Sequence, residues 1–287
     1  MKIGIGIPNP VPDTPGGRLV EWARRAEERE FSSLGTIDRI VYPSYESLIT
    51  LAAAAGATER ISLLTNVLLA PTRNPILLAK EAASLDQISA GRFTLGTSPG
   101  SRKDDFDATG QGFHDRGRRW DQDLELIHRA WRGDPVAGSD KPVTPRPFNG
   151  ERVPILIGGT SDKAIERTVR WGVGWTAGGG SADRVAPFSE RVRRAWKEAG
   201  REGEPRIVAL GYFALGDGAE DASAAYIRHY YGHLGDWVES MIRGVRTTED
   251  GVRDTRNRFE DIGIDEFIFD PTVAELDQVD RLADAVL

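Results

Sequence analysis

Short β-branched apolar runs alternate with longer segments in which apolar side chains recur every three to four residues, and the alternation repeats eight times. The runs at 3–7, 33–37, 61–68, 92–96, 154–157, 173–177, 207–215 and 266–269 have the length and composition of buried strands. The segments at 18–29, 45–57, 75–89, 116–131, 163–171, 182–199, 219–243 and 273–286 carry the period of helices. In the first of these, Leu19, Trp22, Ala23 and Ala26 share one face while Glu21, Arg24, Arg25 and Glu28 take the other, as in a helix lying on a sheet. Pro75 suits a first helical turn, and Gly91 and Gly200 suit left-handed helix ends. In the seventh helical region, residues 244–248 predict a break, with Thr247 or Thr248 capping a second helix that runs to about Phe259.

Strands alternating with helices imply a parallel sheet built from crossover units. Eight units close most naturally into an α/β fold of the (β/α)8 TIM barrel type, expected here as a single domain over 1–287 with extended loops after strands 4 and 7. The Gly- and Pro-rich segments 98–117 and 133–152 fall outside the simple repeat and are too short to be domains. A doubly wound open sheet is the alternative. Its dinucleotide-binding turn needs spaced glycines after the first strand, whereas Gly4 and Gly6 lie inside that strand and Pro8 occupies the turn. In a barrel the chemistry lies in the loops that follow the strands.

Composition removes several function classes. The chain has 37 Lys+Arg against 44 Asp+Glu, a net charge of −7, which argues against a nucleic-acid partner. With no cysteine there is no disulfide framework, thiolate nucleophile or thiolate-held metal. His229 and His233 stand four apart, but Tyr230, Tyr231 and Gly232 intervene where a metalloprotease motif places its glutamate, so no metal site is expected. The apolar start of the chain is shorter than a signal-peptide core and no run approaches the ~18 apolar residues of a membrane span. A cytoplasmic protein without membrane association is expected.

Two strand ends are stripped of side chains. The run at 154–157 leads into Gly158-Gly159-Thr160-Ser161, where backbone approach and a helix N-terminus favour a phosphate with Thr160 or Ser161 donating; an ordinary turn with a hydroxyl cap reads the same. The next strand ends in Ala177-Gly178-Gly179-Gly180, either a ligand cradle or a flexible loop. Asp38 and Arg39 after the second strand, and Asn66 and Arg73 after the third, offer polar groups to the barrel mouth, although Asp38 and Arg39 could equally form an exposed ion pair of little consequence. His114 is a candidate acid or base.

One stretch resembles a known family. Leu51-Ala52-Ala53-Ala54-Ala55-Gly56-Ala57-Thr58-Glu59-Arg60-Ile61, then Arg73-Asn74-Pro75, then Leu85-Asp86-Gln87-Ile88-Ser89-Ala90-Gly91-Arg92-Phe93 are similar to the bacterial luciferase-like flavin-dependent oxidoreductases. The Leu-Asp-x-x-Ser-x-Gly-Arg element is the most specific part, and the resemblance covers nearly the whole chain, weakest after about residue 201. It implies a TIM barrel binding reduced FMN at its C-terminal mouth and acting as a monooxygenase with dioxygen on a small organic substrate. The alternative is a hydride-transfer oxidoreductase using the related deazaflavin coenzyme F420.

The resemblance also implies residue roles. Asn66 and Val67 would lie against the ring system at a bulge, and Ser98, Pro99 and Gly100 would flank ring or tail. Gly158, Gly159 and Thr160, with Ala177, Gly178 and Gly179, would hold the phosphate, and Asp38 or His114 would move a proton in hydride transfer. Two positions depart from the pattern. Many deazaflavin-dependent members show Asp-His where this chain has Asp38-Arg39, and luciferases carry an arginine where it has Pro99, leaving Lys163 or Arg184 as substitute phosphate partners. A flavin reductase and a second copy of the chain, docked through the apolar helices at 48–57 and 76–85, are the implied partners, and the implied substrate pocket, built from Phe106, Phe113, His114, Tyr212, Tyr230 and Tyr231, would suit an apolar or aromatic molecule. Outside this family, a hydrolase or aldolase would need groups at strand ends, where Asp38, Lys163 and Asp270 stand, and a non-catalytic flavin-binding barrel is a further alternative.

Overall fold

The computed structural model describes all residues except 137 and 139. Its strands are β1 (Lys2–Gly6), β2 (Ser33–Thr36), β3 (Ser62–Thr65), β4 (Leu68–Leu69), β5 (Phe93–Ser98), β6 (Ile155–Gly158), β7 (Gly174–Thr176), β8 (Arg206–Phe213) and β9 (Glu266–Pro271). Every pairing is parallel, and because β3 and β4 both pair with β5, the sheet closes on itself. β3 and β4 are two halves of one stave, parted by a cis peptide bond between Asn66 and Val67. The result is an eight-stave TIM barrel.

The helices are α1 (Gly16–Glu28), α2 (Ser47–Ala57), α3 (Pro75–Ile88), α4 (Lys103–Thr109), α5 (Arg116–Arg132), α6 (Asp162–Trp171), α7 (Ala182–Glu198), α8 (Ala219–Tyr231), α9 (Trp237–Arg243), α10 (Glu249–Asp261) and α11 (Asp277–Val286). Leu19, Trp22, Ala23 and Ala26 are the buried face of α1, as their spacing predicts. Thr248 caps α10 by accepting from the Gly251 N–H. Two expectations need correction. The helix predicted over 219–243 is divided into α8 and α9 around Gly235, whose φ of 58° and ψ of −132° no helix accommodates. The loop predicted after the fourth strand contains α4, a short helix whose polar sequence hid its buried Asp105 and Phe106.

Side chains on the two faces of the staves form separate cores. Ile5, Leu63, Phe93 and Ile157 join the large cluster packed beneath the helices. Leu64, Leu156, Val208, Leu210 and Ile268 fill the barrel interior. Room for Ile268 comes from Gly4 and Gly35, where a Cβ would stand 3.2 Å from its side chain. At the closed end, Glu266 accepts from Ser32, Ser33 and Arg206; despite burial, Arg206 and the two hydroxyls hold its carboxyl below the ordinary range.

The Leu-Asp-x-x-Ser-x-Gly-Arg element lies at this end too. The Arg92 guanidinium donates to the carbonyls of Ala55, Thr58, Ile61 and Ser89 and to the Thr58 hydroxyl at 2.8–3.1 Å, tying α2 and α3 to the entry of β3. Gly91 has φ +80°, and a Cβ there would meet Phe148 at 2.8 Å. The motif that carries the resemblance is therefore a brace for the barrel floor. No helix among the described residues is long and apolar enough to cross a membrane.

Candidate active site

A cavity of about 420 Å³ opens at the C-terminal ends of the staves, within the size range of small-molecule and cofactor sites. Asp38, Asn66, Val67, Ser98 and Gly100 line one side, and Gly158, Gly159, Thr160, Gly178 and Gly179 line another. Ala177 does not reach it; it is buried behind the rim, its N–H donating to the Val208 carbonyl at 2.8 Å. His114 is not in it either. The His114 side chain is exposed in a neighbouring depression with Asp115, Arg116 and Arg118, sharing only Pro99 with the cavity wall.

Asn66 is held from three directions. Its N–H donates to the Thr36 carbonyl at 2.7 Å, its peptide bond to Val67 is cis, and its side-chain Oδ1 accepts from the Thr176 hydroxyl at 2.6 Å. With Oδ1 committed, the amide Nδ2 is a buried donor with no partner among the described residues. A buried unpaired N–H costs about 1–3 kcal/mol, a cost that a ligand acceptor would relieve.

Asp38 and Arg39 do not pair with each other, and neither is exposed. Asp38 accepts from the Leu69 N–H at 2.9 Å and from Arg73 at 3.0 and 3.1 Å. Burial nevertheless pushes its carboxyl above the ordinary range, against the pull of Arg73 and Leu69. Arg39 donates to Asp105 at 2.7 Å and to Asp104 at 2.9 Å. The other oxygen of Asp105 accepts the N–H groups of Ile40 and Val41, so α4 clamps the loop after β2.

The roof comes from α8. Tyr230 and Tyr231 line the cavity with Tyr212, whose hydroxyl lies 2.7 Å from that of Tyr231. Arg102 stands over the Tyr230 and Tyr231 rings at 4.6 and 5.3 Å. Tyr42 packs edge-on to Tyr230 and hydrogen-bonds His229 Nδ1 at 2.8 Å, so His229 anchors the roof, and no metal-ligating cluster exists among the described residues. Phe106 is fully buried beneath Gly100, with Phe113 against it; neither lines the cavity, in contrast to the sequence expectation.

On the glycine rim, a Cβ at Gly178 or Gly179 would meet nothing within 4 Å, while at Gly158 it would press Ser98 and Val67 at 3.2 Å. Ser161 before α6 and Ser181 before α7 make no side-chain cap among the described residues, so the hydroxyl-cap alternative for the 158–161 turn is not realised. The first-turn N–H groups of both helices thus lack that competitor for an anion. Lys163 is spent on Glu166 at 2.5 Å, and Arg184 lies over the Trp237 ring at 5.3 Å. Deeper, on the interior face of β9 one layer above Ile268, the Asp270 carboxyl is buried with Oδ2 unpartnered among the described residues, and burial raises it to about 8. It faces Gly6, where a Cβ would stand 2.0 Å from Oδ1.

Residues 1–273 match the luciferase-like monooxygenase family. The chain belongs to that family. A Mycobacterium tuberculosis relative, the uncharacterised protein Rv0940c, is 31% identical over 224 residues, 67% of this chain and 77% of the relative. Among solved structures, monooxygenase RslO1 from Streptomyces bottropensis superposes with a TM-score of 0.80 at 21% identity, covering 99% of this chain and 97% of that one. An F420-dependent secondary alcohol dehydrogenase in complex with an F420-acetone adduct superposes with a TM-score of 0.83 at 17% identity, covering 99% and 98%. At those identities the two structures establish a shared fold.

This member of the luciferase-like monooxygenase family is an oxidoreductase of the flavin or deazaflavin type, and its cavity fits such a cofactor on two counts: the orphaned Asn66 amide and the open glycine rim. Sequence reading missed Thr176, which fixes the Asn66 amide, and Arg102, a cavity cation hidden in a polar loop. For Arg102 the available signal was its position, two residues past Gly100 at a strand end.

Proposed function

We propose that the cavity binds reduced FMN and that the protein is a monooxygenase acting on a small organic substrate. The observation that carries this reading is the buried Asn66 Nδ2, which has no partner among the described residues and belongs to a cavity-lining amide pinned by Thr176; an acceptor on the ring would satisfy it. Reduced FMN held there supplies the electrons with which dioxygen is activated. Val67 and Leu69 would pack against the ring, while Gly158, Gly159, Gly178 and Gly179 would let the phosphate tail approach backbone N–H groups. Tyr212, Tyr230 and Tyr231 close the roof and exclude water from the reacting centre.

The deazaflavin reading uses the same cavity for hydride transfer, and the shared fold of the F420-dependent alcohol dehydrogenase supports its fit. Hydride transfer also needs a group to move a proton. Asp38 is tied into an ion pair with Arg73 and His114 lies outside the cavity, which favours the FMN reading.

Fluorescence-quenching titration with FMN and F420, each oxidised and reduced, separates the two. Tight binding of reduced FMN supports the monooxygenase and the need for a partner reductase. Preference for F420 supports the dehydrogenase, and binding of neither overturns both. We also propose a homodimer through α2 and α3, where Ile49, Leu77 and Ile88 are 72%, 55% and 62% exposed. Leu77→Glu should shift sedimentation toward the monomer; an unaltered mass sinks that interface.

A further inference from the structure

Four charged side chains line the cavity: Asp38, Arg39, Arg102 and Asp105. Three are neutralised by ion pairs, Asp38 with Arg73 at 3.0 Å and Arg39 with Asp105 at 2.7 Å. Asp104 and the second oxygen of Asp105 are also committed, to Arg39 and to the Ile40 and Val41 N–H groups. Arg102 differs. Its Nη1 donates to the Tyr230 carbonyl at 2.7 Å and its guanidinium carbon stands over two tyrosine rings, but no carboxylate pairs with it among the described residues.

A partly buried cation without a counter-charge is costly, and an arriving anion removes that cost. The planar guanidinium suits a carboxylate in particular, because it can offer two parallel N–H groups to two oxygens. The surroundings specify the rest of the ligand. Arg102 leans toward the end of α8, where Tyr212, Tyr230 and Tyr231 form a wall beside Leu210 and Ile37. The glycine rim suited to a phosphate is carried by different strands, β6 and β7.

We propose that Arg102 binds the carboxylate of an aromatic substrate whose ring packs on the Tyr212, Tyr230 and Tyr231 wall. This assignment rests on the flavin reading in one respect: the glycine rim is reserved for the cofactor's phosphate. Arg102 is thus a specificity-determining residue, and a neutral analogue of the same shape is a poor ligand. The same anion chemistry could come from the cofactor tail, and the test separates the two sources.

Isothermal titration of the full chain, with and without bound FMN, uses 2-naphthoate, its uncharged amide, FMN and riboflavin as probes. The proposal expects naphthoate to bind at least ~10-fold tighter than the amide. It expects Arg102→Gln to erase that preference while leaving the FMN and riboflavin affinities unchanged, and Arg102→Lys to restore part of it. Thermal unfolding of each variant reports whether the fold is kept, and the Arg102→Lys comparison carries the test if the glutamine variant does not fold. Equal binding of naphthoate and amide, or binding of neither, overturns the proposal. So does an Arg102→Gln variant that loses FMN but not riboflavin, which would place Arg102 on the phosphate. Naphthoate binding to flavin-free protein is read independently, so failure to bind any flavin sinks the cofactor reading alone.

Discussion

The Asp38 carboxylate and the Arg73 guanidinium meet at 3.0 Å on the wall of the cavity, the acid almost wholly buried and the base nearly so. Arg73 also reaches Glu46 at 2.8 Å, so one cation links the loop after β2, the start of α2 and the loop before α3. Breaking a buried pair by removing one partner leaves an uncompensated charge, which costs roughly 3–5 kcal/mol. Arg73→Met should lose about that much stability at pH 7 by urea denaturation. Without Arg73 the already raised Asp38 pKa rises further, so the deficit should shrink as the pH falls and Asp38 takes up its proton. A loss under ~1 kcal/mol at pH 7 would show that the pair is not the link it looks to be.

Thr176 gives Asn66 its orientation. Thr176→Val removes one neutral hydrogen bond, a stability cost of about 1 kcal/mol, yet frees the amide to turn. FMN affinity should fall by ~10-fold, more than stability alone explains. If quenching titrations give the same affinity for both proteins, Asn66 Nδ2 is not a ligand donor.

Asp270 should make stability pH-dependent in a direction opposite to that of a salt-bridged acid. Its folded pKa of about 8 exceeds the unfolded value, so the native state holds the extra proton between about pH 4 and 8 and loses stability as the pH rises through that window. Asp270→Asn cannot ionise. Its melting temperature relative to the parent protein should therefore climb between pH 5 and pH 8, and a constant difference across that range would refute the burial argument.

Arg92 braces the barrel floor, far from the cavity. Arg92→Lys keeps the charge but not the fork of donors, and should cost about 2–4 kcal/mol. FMN affinity measured on the folded fraction should be unaffected; weakened binding at matched folding would mean the floor and mouth are coupled.

Much of the fold was legible from periodicity, because burial on two faces makes a parallel strand a continuous apolar run and burial on one face makes a helix amphipathic. What local pattern could not show was α4, whose helix is short and polar and is fixed by Asp105 reaching Arg39 across 66 positions. The division of the 219–243 segment lay in Gly235, one glycine among 32.

For the site, the glycines at 158–159 and 178–179, Asn66 and the tyrosines announced themselves by residue type and by their place at strand ends. His114 had the right chemistry and the wrong address, since a loop's direction is set by what it packs against. By itself the sequence determined the staves, the helices that pack on them except α4 and the division of the 219–243 segment, and the rim that carries the site, because each follows from local propensity and side-chain burial. Only the tertiary structure decided that Asp38 pairs with Arg73 and Arg39 with Asp105, leaving Arg102 as a cavity cation without an ion pair among the described residues. Charge pairing acts through space over a few ångströms, and closing the barrel brings residues tens of positions apart within that reach.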